Sequence, residues 1–252
     1  MRIRGRKAEK AVIYSGWNFG KVEGIFPKGA AKKFPVLKPS RAMFNTPEME
    51  FAKTRALAFR KKVSLKQLRL LFYARSKGIF VEKPIRYNPL TSRATFLRQG
   101  ITLYGLSQLR KHSLHPKVLS RIISETAKIF GALHNIGIVH NDARVPNIVF
   151  SKGRIQLIDF DLAELRKKIN WENPREVFDV FRKDFILLKN TLGYVGASEN
   201  QMQNFFELLV ENYPKMPEKA RKELVERCRK LSKMPEKARK ELVERCKERF
   251  SL

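Results

Sequence analysis

"LHNIGIVHNDARVPNIVF", residues 133–150, followed by "IQLIDFD", residues 155–161, decides how this chain is read. The apolar runs "IV", "NIVF" and "IQLI" read as short strands, with a Lys-Gly turn at 152–153 between the last two. The polar cluster after "IV" is then a loop joining strands. Burying His140, Asn141, Asp142, Arg144 and Asn147 in such a segment is costly unless their polar groups meet partners. Asp142 and Asn147 lie five residues apart, and Asp159 follows Asn147 by twelve, at the end of the "IQLI" strand. Two carboxylates and an amide at the mouths of adjacent strands form a hard, oxygen-rich site. Such a site suits Mg²⁺, which takes a few carboxylates together with water and phosphate oxygens. The remaining carboxylate can orient a hydroxyl nucleophile and accept its proton. That combination fits phosphoryl transfer, where positioning and charge neutralisation carry most of the catalysis.

Composition sets the surroundings. At 252 residues the chain can bury a substantial core, and a 43% apolar share with 18 Phe argues against wholesale disorder. Lys and Arg number 53 against 24 Asp and Glu, a net charge of +29 that attracts polyanions such as nucleic acid, nucleotides or acidic protein surfaces. The same charge also serves plain solubility. Two cysteines, Cys228 and Cys246, offer neither a disulfide framework nor zinc-ligand spacing, and the four His are equally unsuited to a metal site. No apolar run reaches the roughly 18 residues of a membrane span, and the basic N-terminus leads into no secretory apolar region. A soluble, cytoplasmic protein is expected.

Upstream, residues 11–38 read as short strands broken by Gly16, Gly20 and Gly24. From Thr46 the pattern turns helical: "TPEMEFAKTRALAFRKK" opens on a capping Thr and Pro47, and "SLKQLRLLFYARSKG" ends on Gly78. Residues 79–98 read as two strands joined by a polar turn. After His115-Pro116, Leu119, Ile122, Ile123, Ala127, Phe130 and Leu133 recur at three- and four-residue steps, a long amphipathic helix. Helices fill the chain beyond Asp161.

At these residues the chain resembles the catalytic core of the protein-kinase-like superfamily, in its minimal, atypical branch: the kinase of the KEOPS complex, the RIO kinases and the lipopolysaccharide (Kdo) kinases. His140-Asn141-Asp142 stands where such kinases carry H-R-D, Asn147 at their catalytic-loop Asn, and Asp159-Phe160-Asp161 in place of D-F-G. The resemblance implies Asp142 as catalytic base, Asn147 and Asp159 as Mg²⁺ ligands, Arg144 as the γ-phosphate contact, and His140 as structural support of the loop. "SGWNFGKV" resembles the second half of a glycine-rich phosphate loop, with Gly16, Gly20 and Val22 as nucleotide-binding positions. Lys38, eighteen residues after Gly20, falls near the strand lysine that holds the α- and β-phosphates. The helix-borne Glu that partners such a lysine is replaced by Gln67, with Glu48 or Glu50 as substitute carboxylates. "TFLRQGITL", 95–103, resembles the hinge between lobes, and Asp184 the helix-borne anchor of the catalytic loop. Asn141 in place of the usual Arg leaves no receptor for a phosphorylated activation loop.

The expected fold is α+β and bilobal, with a small β-rich N-lobe (1–98), a mainly helical C-lobe (99–212) and a basic tail (213–252). In that tail "KMPEKARKELVERC" occurs at 215–228 and again at 233–246. It reads as a local duplication or as a basic helical arm for nucleic acid or another partner. The implied function is an ATP- and Mg²⁺-dependent kinase, foremost of Ser/Thr in a protein substrate. A nucleotide-binding pseudokinase, a sugar kinase and a basic RNA-associated factor are the competing readings.

Overall fold

Gly16 and Gly20 close the first hairpin. In the computed structural model, which describes residues 8–16, 20–27, 57–98, 100–109 and 114–233, β1 (Ala8–Gly16) pairs antiparallel with β2 (Gly20–Pro27) so that Gly16 faces Gly20. β3 (Leu57–Lys62), β4 (Lys83–Asn88) and β5 (Arg93–Arg98) complete a five-stranded antiparallel sheet in the order β1-β2-β3-β5-β4. The helical reading of 46–62 fails over its last six residues. Leu57–Lys62 is strand because β5 pairs with all six of its residues and β2 with two, and ladder pairing overrides a weak helical pattern. Residues 46–56, with Glu48 and Glu50, lie outside the described residues, as does Lys38.

α1 (Leu65–Ser76) begins where Ser64 caps it, its hydroxyl accepting from Gln67 N–H at 3.1 Å, and ends before Gly78, whose φ of +78° suits glycine. Its Leu68, Leu70, Leu71 and Ala74 are buried under the sheet side of the molecule's core. In the segment from α1 to β4, Val81 is bridged in parallel to Leu157.

Past Gly100, β6 (Ile101–Thr102), β8 (Ile148–Ser151) and β9 (Arg154–Leu157) form a small antiparallel sheet, order β6-β8-β9. Gly100 has φ +105°, and a Cβ there would strike the Phe150 carbonyl, so the crossing between lobes requires glycine. α2 (Leu103–Leu109) follows β6. α3 (Pro116–Asn135), with His115 at its cap and Pro116 at its first turn, buries the face anticipated from its periodicity. β7 (Ile138–Val139) pairs with β10 (Glu164–Leu165). α4 (Pro174–Tyr194), α5 (Glu199–Glu211) and α6 (Glu218–Lys233) pack with α3 around Phe130, Phe181, Phe185, Phe205 and Phe206.

The first copy of the duplicated segment belongs to this core. Ala220, Leu224, Cys228 and Leu231 of α6 are buried at four-, four- and three-residue steps against the body of the C-lobe. The second copy lies outside the described residues, apart from Lys233 at its start.

Candidate active site

The loop after β7 is held from below by one carboxylate. Asp184, on the buried face of α4, accepts the backbone N–H of His140 at 2.8 Å through Oδ2 and that of Asn141 at 2.8 Å through Oδ1. Oδ2 also meets His134 Nε2 at 3.1 Å, and His134 Nδ1 meets the Tyr213 hydroxyl at 2.6 Å. A carboxylate accepting from two backbone donors is ionised, so His134 presents Nε2–H to it and takes the Tyr213 O–H at Nδ1. Burial alone would push Asp184 up, but the hydrogen bonds with His134 and the loop backbone outweigh it and hold its pKa below the ordinary value. Burial lowers His134, and raises Tyr213 well above its usual range. All three groups are fully buried, so this chain Tyr213–His134–Asp184 is a dry prop under the loop.

His140 ties the loop to the strand that carries Asp159. Its Nε2 lies 3.1 Å from the Ile158 carbonyl, which can only accept, so Nε2 bears the hydrogen and Nδ1 accepts from Asp142 N–H at 3.3 Å. Asn141 adopts φ +62°, a conformation that Asn tolerates better than most residues, and its amide donates to Leu162 O at 3.0 Å. The turn closes through Arg144 N to Asp142 O, 2.8 Å, and Asn147 N to Arg144 O, 2.9 Å, while Thr191 on α4 donates to Ala143 O at 2.9 Å. Local bonds within 140–147 shape the turn, and Asp184 and Thr191 of α4 and Ile158 after β9 hold it in place.

Asp142, Asn147 and Arg144 meet at the mouth of this turn. The Asn147 amide nitrogen donates to Asp142 Oδ2 at 2.6 Å and to the Asp142 carbonyl at 3.0 Å. With both amide hydrogens turned onto Asp142, the atom Asn147 has left to offer a ligand is Oδ1, an acceptor. The Arg144 guanidinium grips the same carboxylate with two prongs, Nε on Oδ1 and Nη2 on Oδ2, the latter at 2.9 Å. The hydrogen bond to Asp142 raises the Arg144 pKa, and the charges of Asp142 and Asp159 add to it. Asp142 is 8% exposed and Asn147 7%, whereas the Arg144 side chain is 60% exposed. The Asp142 carboxylate is buried and the guanidinium that grips it lies at the surface.

Asp159 is tied to the same turn through its neighbour, since Ile158 N–H donates to the Asn147 carbonyl at 3.0 Å. It has φ +64°, so the chain leaves the strand line there, and its own N–H donates to Glu82 Oε1 at 2.9 Å. One carboxylate and one amide oxygen fit a small hard cation that completes its shell with phosphate and water, and the nearby guanidinium suits the phosphate. Among the described residues no group of three or more His, Cys, Asp or Glu gathers as an all-protein metal cage.

The remaining anticipated residues divide. Gly16, Gly20 and Val22 lie in the β1–β2 hairpin. Lys38 lies outside the described residues, and the strand placed between β2 and β5 carries Arg60, Lys61 and Lys62. Gln67 is in the first turn of α1, 1% exposed, with both amide atoms unpartnered among the described residues. Glu82 was missed by sequence reasoning. It follows α1 and the Gly78 turn in "FVEKP", where only a buried acidic residue beside an apolar pair hinted at a role.

A two-lobed α+β fold with an acidic loop and an acidic strand end under a β-sheet defines the kinase-like phosphotransferase class. Within that class the chain belongs to the lipopolysaccharide kinase (Kdo/WaaP) family, whose model matches residues 57–207. It is similar to a probable serine/threonine-protein kinase, YbdM, of Bacillus subtilis (33% identity over 101 residues, 40% of this chain and 38% of that one). It is also similar to the KEOPS complex subunit Bud32 of Pyrococcus abyssi (26% over 150 residues, 56% of this chain and 67% of that one). The chain thus matches about two-fifths of the first of these relatives and two-thirds of the second. Among solved structures it resembles WaaP in complex with acyl carrier protein, at 16% identity and TM-score 0.47 over 70% of this chain and 80% of that one.

Proposed function

We propose that the chain is an ATP- and Mg²⁺-dependent kinase that phosphorylates an alcohol, foremost a Ser or Thr of a protein. The observation that carries the proposal is the turn in which Asn147 and Arg144 both converge on the Asp142 carboxylate while Asn147 O is bonded to the residue before Asp159. Asp142 takes the proton of the acceptor hydroxyl as its oxygen attacks the γ-phosphorus and ADP departs. Arg144, exposed at the rim, leaves Asp142 for the incoming γ-phosphate and so uncovers the base as the nucleotide settles. Asn147 Oδ1 and the Asp159 carboxylate would hold Mg²⁺, which would supply charge neutralisation to the phosphates. Gly16, Gly20 and Val22 cover the phosphates and Lys38 pairs with them, while Gln67, unpartnered among the described residues, replaces the helix carboxylate with a neutral group.

The choice of protein over sugar follows the Bacillus subtilis relative, a probable serine/threonine-protein kinase. Incubating the full chain with radiolabelled ATP, with casein and with a lipopolysaccharide-core sugar acceptor tests both. Label on casein or on the chain itself is expected, falling about 10²–10⁴-fold in Asp142→Ala. Label on the sugar alone transfers the reading to a sugar kinase. Label on neither, with nucleotide bound, identifies a pseudokinase.

A second reading, polyanion binding, is favoured by a groove of about 980 Å³ beside β10, where Lys77, Arg166, Lys167, Lys168 and Lys215 face a lone acid, Glu176. Single-stranded RNA should bind with an affinity that drops steeply as salt rises, and reversing Lys167, Lys168 and Lys215 to Glu should flatten the log–log slope by about 2. An unchanged slope removes this groove from the account.

A further inference from the structure

Two backbone hydrogen bonds join the segment after α1 to β9: Leu157 N–H donates to Phe80 O at 3.1 Å and Glu82 N–H to Leu157 O at 2.9 Å. In a parallel ladder the next rung would run from Asp159 N–H to the Glu82 carbonyl. Asp159 turns out of the strand at φ +64°, and its N–H goes to the Glu82 side chain, Oε1, at 2.9 Å. The carboxylate continues the ladder past the point where the backbone can. Glu82 is 3% exposed, and its backbone neighbour Val81 is clamped from two sides, by Arg75 Nη1 of α1 at 3.2 Å and by Gln156 Nε2 of β9 at 3.3 Å. A buried side-chain acceptor is thus carried on a segment fixed to both α1 and β9.

We infer that Glu82 is the positioning residue for the Asp159 carboxylate: by holding Asp159 N–H it fixes the left-handed turn that aims this side chain at the phosphate-bound cation. It does in this chain, through the metal-loop backbone, part of the work left undone by the neutral Gln67 on α1. The inference rests on Asp159 being a Mg²⁺ ligand, as proposed above. Groups that orient a metal ligand are typically worth 10–100-fold in metal affinity. What matters here is an oxygen at the right reach, so an isosteric amide that keeps Oε1 should serve, and a shorter carboxylate should not.

The test is Mg²⁺ titration of fluorescent ADP binding by the full chain, with metal-free nucleotide affinity measured alongside. Glu82→Ala and Glu82→Asp should each raise the Mg²⁺ needed for half-saturation about 10-fold or more and leave metal-free affinity within twofold. Glu82→Gln should stay within about threefold of wild type. If Glu82→Ala does not fold, Glu82→Asp carries the comparison. Wild-type behaviour in Glu82→Asp, or an equal loss of metal-free and metal-dependent binding, overturns the inference. Asp159→Asn separates the two claims. If it abolishes the Mg²⁺ effect while the Glu82 variants do not alter it, only the role of Glu82 falls; if it leaves the Mg²⁺ effect intact, the metal-ligand reading of Asp159 falls, and the role of Glu82 with it.

Discussion

Replacing Asp184 by Asn is the sharpest probe of how the catalytic turn is held. The change is nearly isosteric, so it opens no cavity and acts through hydrogen bonding and the loss of one buried charge. Asp184 Oδ2 now receives His140 N–H and His134 Nε2–H, and Oδ1 receives Asn141 N–H. An Asn whose oxygen takes the Oδ2 place must turn its amide nitrogen toward Asn141 N–H, donor against donor. Two donors then lose partners in a site that is 0% exposed at Asp184. At about 1–3 kcal/mol for each unsatisfied buried donor, the expected loss is about 2–6 kcal/mol. At about 2–4 °C per kcal/mol for a chain of this size, that corresponds to a fall of roughly 4–24 °C in Tm. Urea unfolding followed by circular dichroism measures it, together with the rate of phosphate transfer, which should fall because His140 and Asn141 lead directly into Asp142. The wild-type advantage has a defined pH window. Because the folded Asp184 pKa lies below the ordinary 3.8, the advantage is fully present above that pH and disappears only as pH falls through the depressed value. A loss under about 1 kcal/mol at neutral pH, or a wild-type advantage already fading between pH 7 and 5, would refute the proposed anchoring.

Arg144→Ala should leave Tm within about 2 °C, because a rim pair this exposed contributes little, yet cut phosphate transfer tenfold or more through loss of the charge-assisted phosphate contact; steady-state kinetics beside a melting curve shows both. Wild-type stability should also decline below pH 6.5: His134 has its pKa lowered by burial, so the unfolded chain takes up that proton first, and the stability present above 6.5 is lost as pH falls toward the folded value. His134→Gln should flatten that part of a stability–pH profile. Leu224→Ala should cost about 2–5 kcal/mol in urea unfolding, as a fully buried leucine of the core; a cost near zero would mean that α6 is an accessory arm.

Much of this protein could be read from the linear chain, for reasons visible residue by residue. The α3 helix announced itself because its apolar positions recur at the helical period after His115-Pro116, and Gly78 marked the end of α1 because glycine tolerates the positive φ of a helix terminus. The spacing of Asp142, Asn147 and Asp159 pointed to one site because a tight turn and a short hairpin allow few ways to bring those positions together. Local chemistry over a few residues sufficed in each case. Leu57–Lys62 was misread because a strand's partners are distant in sequence: nothing in "LAFRKK" reports that β2 and β5 will flank it. The same limit hid Glu82, whose partner Asp159 is 77 positions away, and Tyr213, whose hydroxyl completes the prop under the loop from 79 positions away. It also hid the difference between a basic arm and a core helix in the duplicated segment, since burial of Leu224 and Cys228 depends on α4 and α5 already being in place. The sequence by itself determined which groups are the candidates for the chemistry, because their identities and short-range spacings are local properties. Only the tertiary structure decided which distant donors and acceptors hold them, because those bonds exist only once the chain has closed on itself.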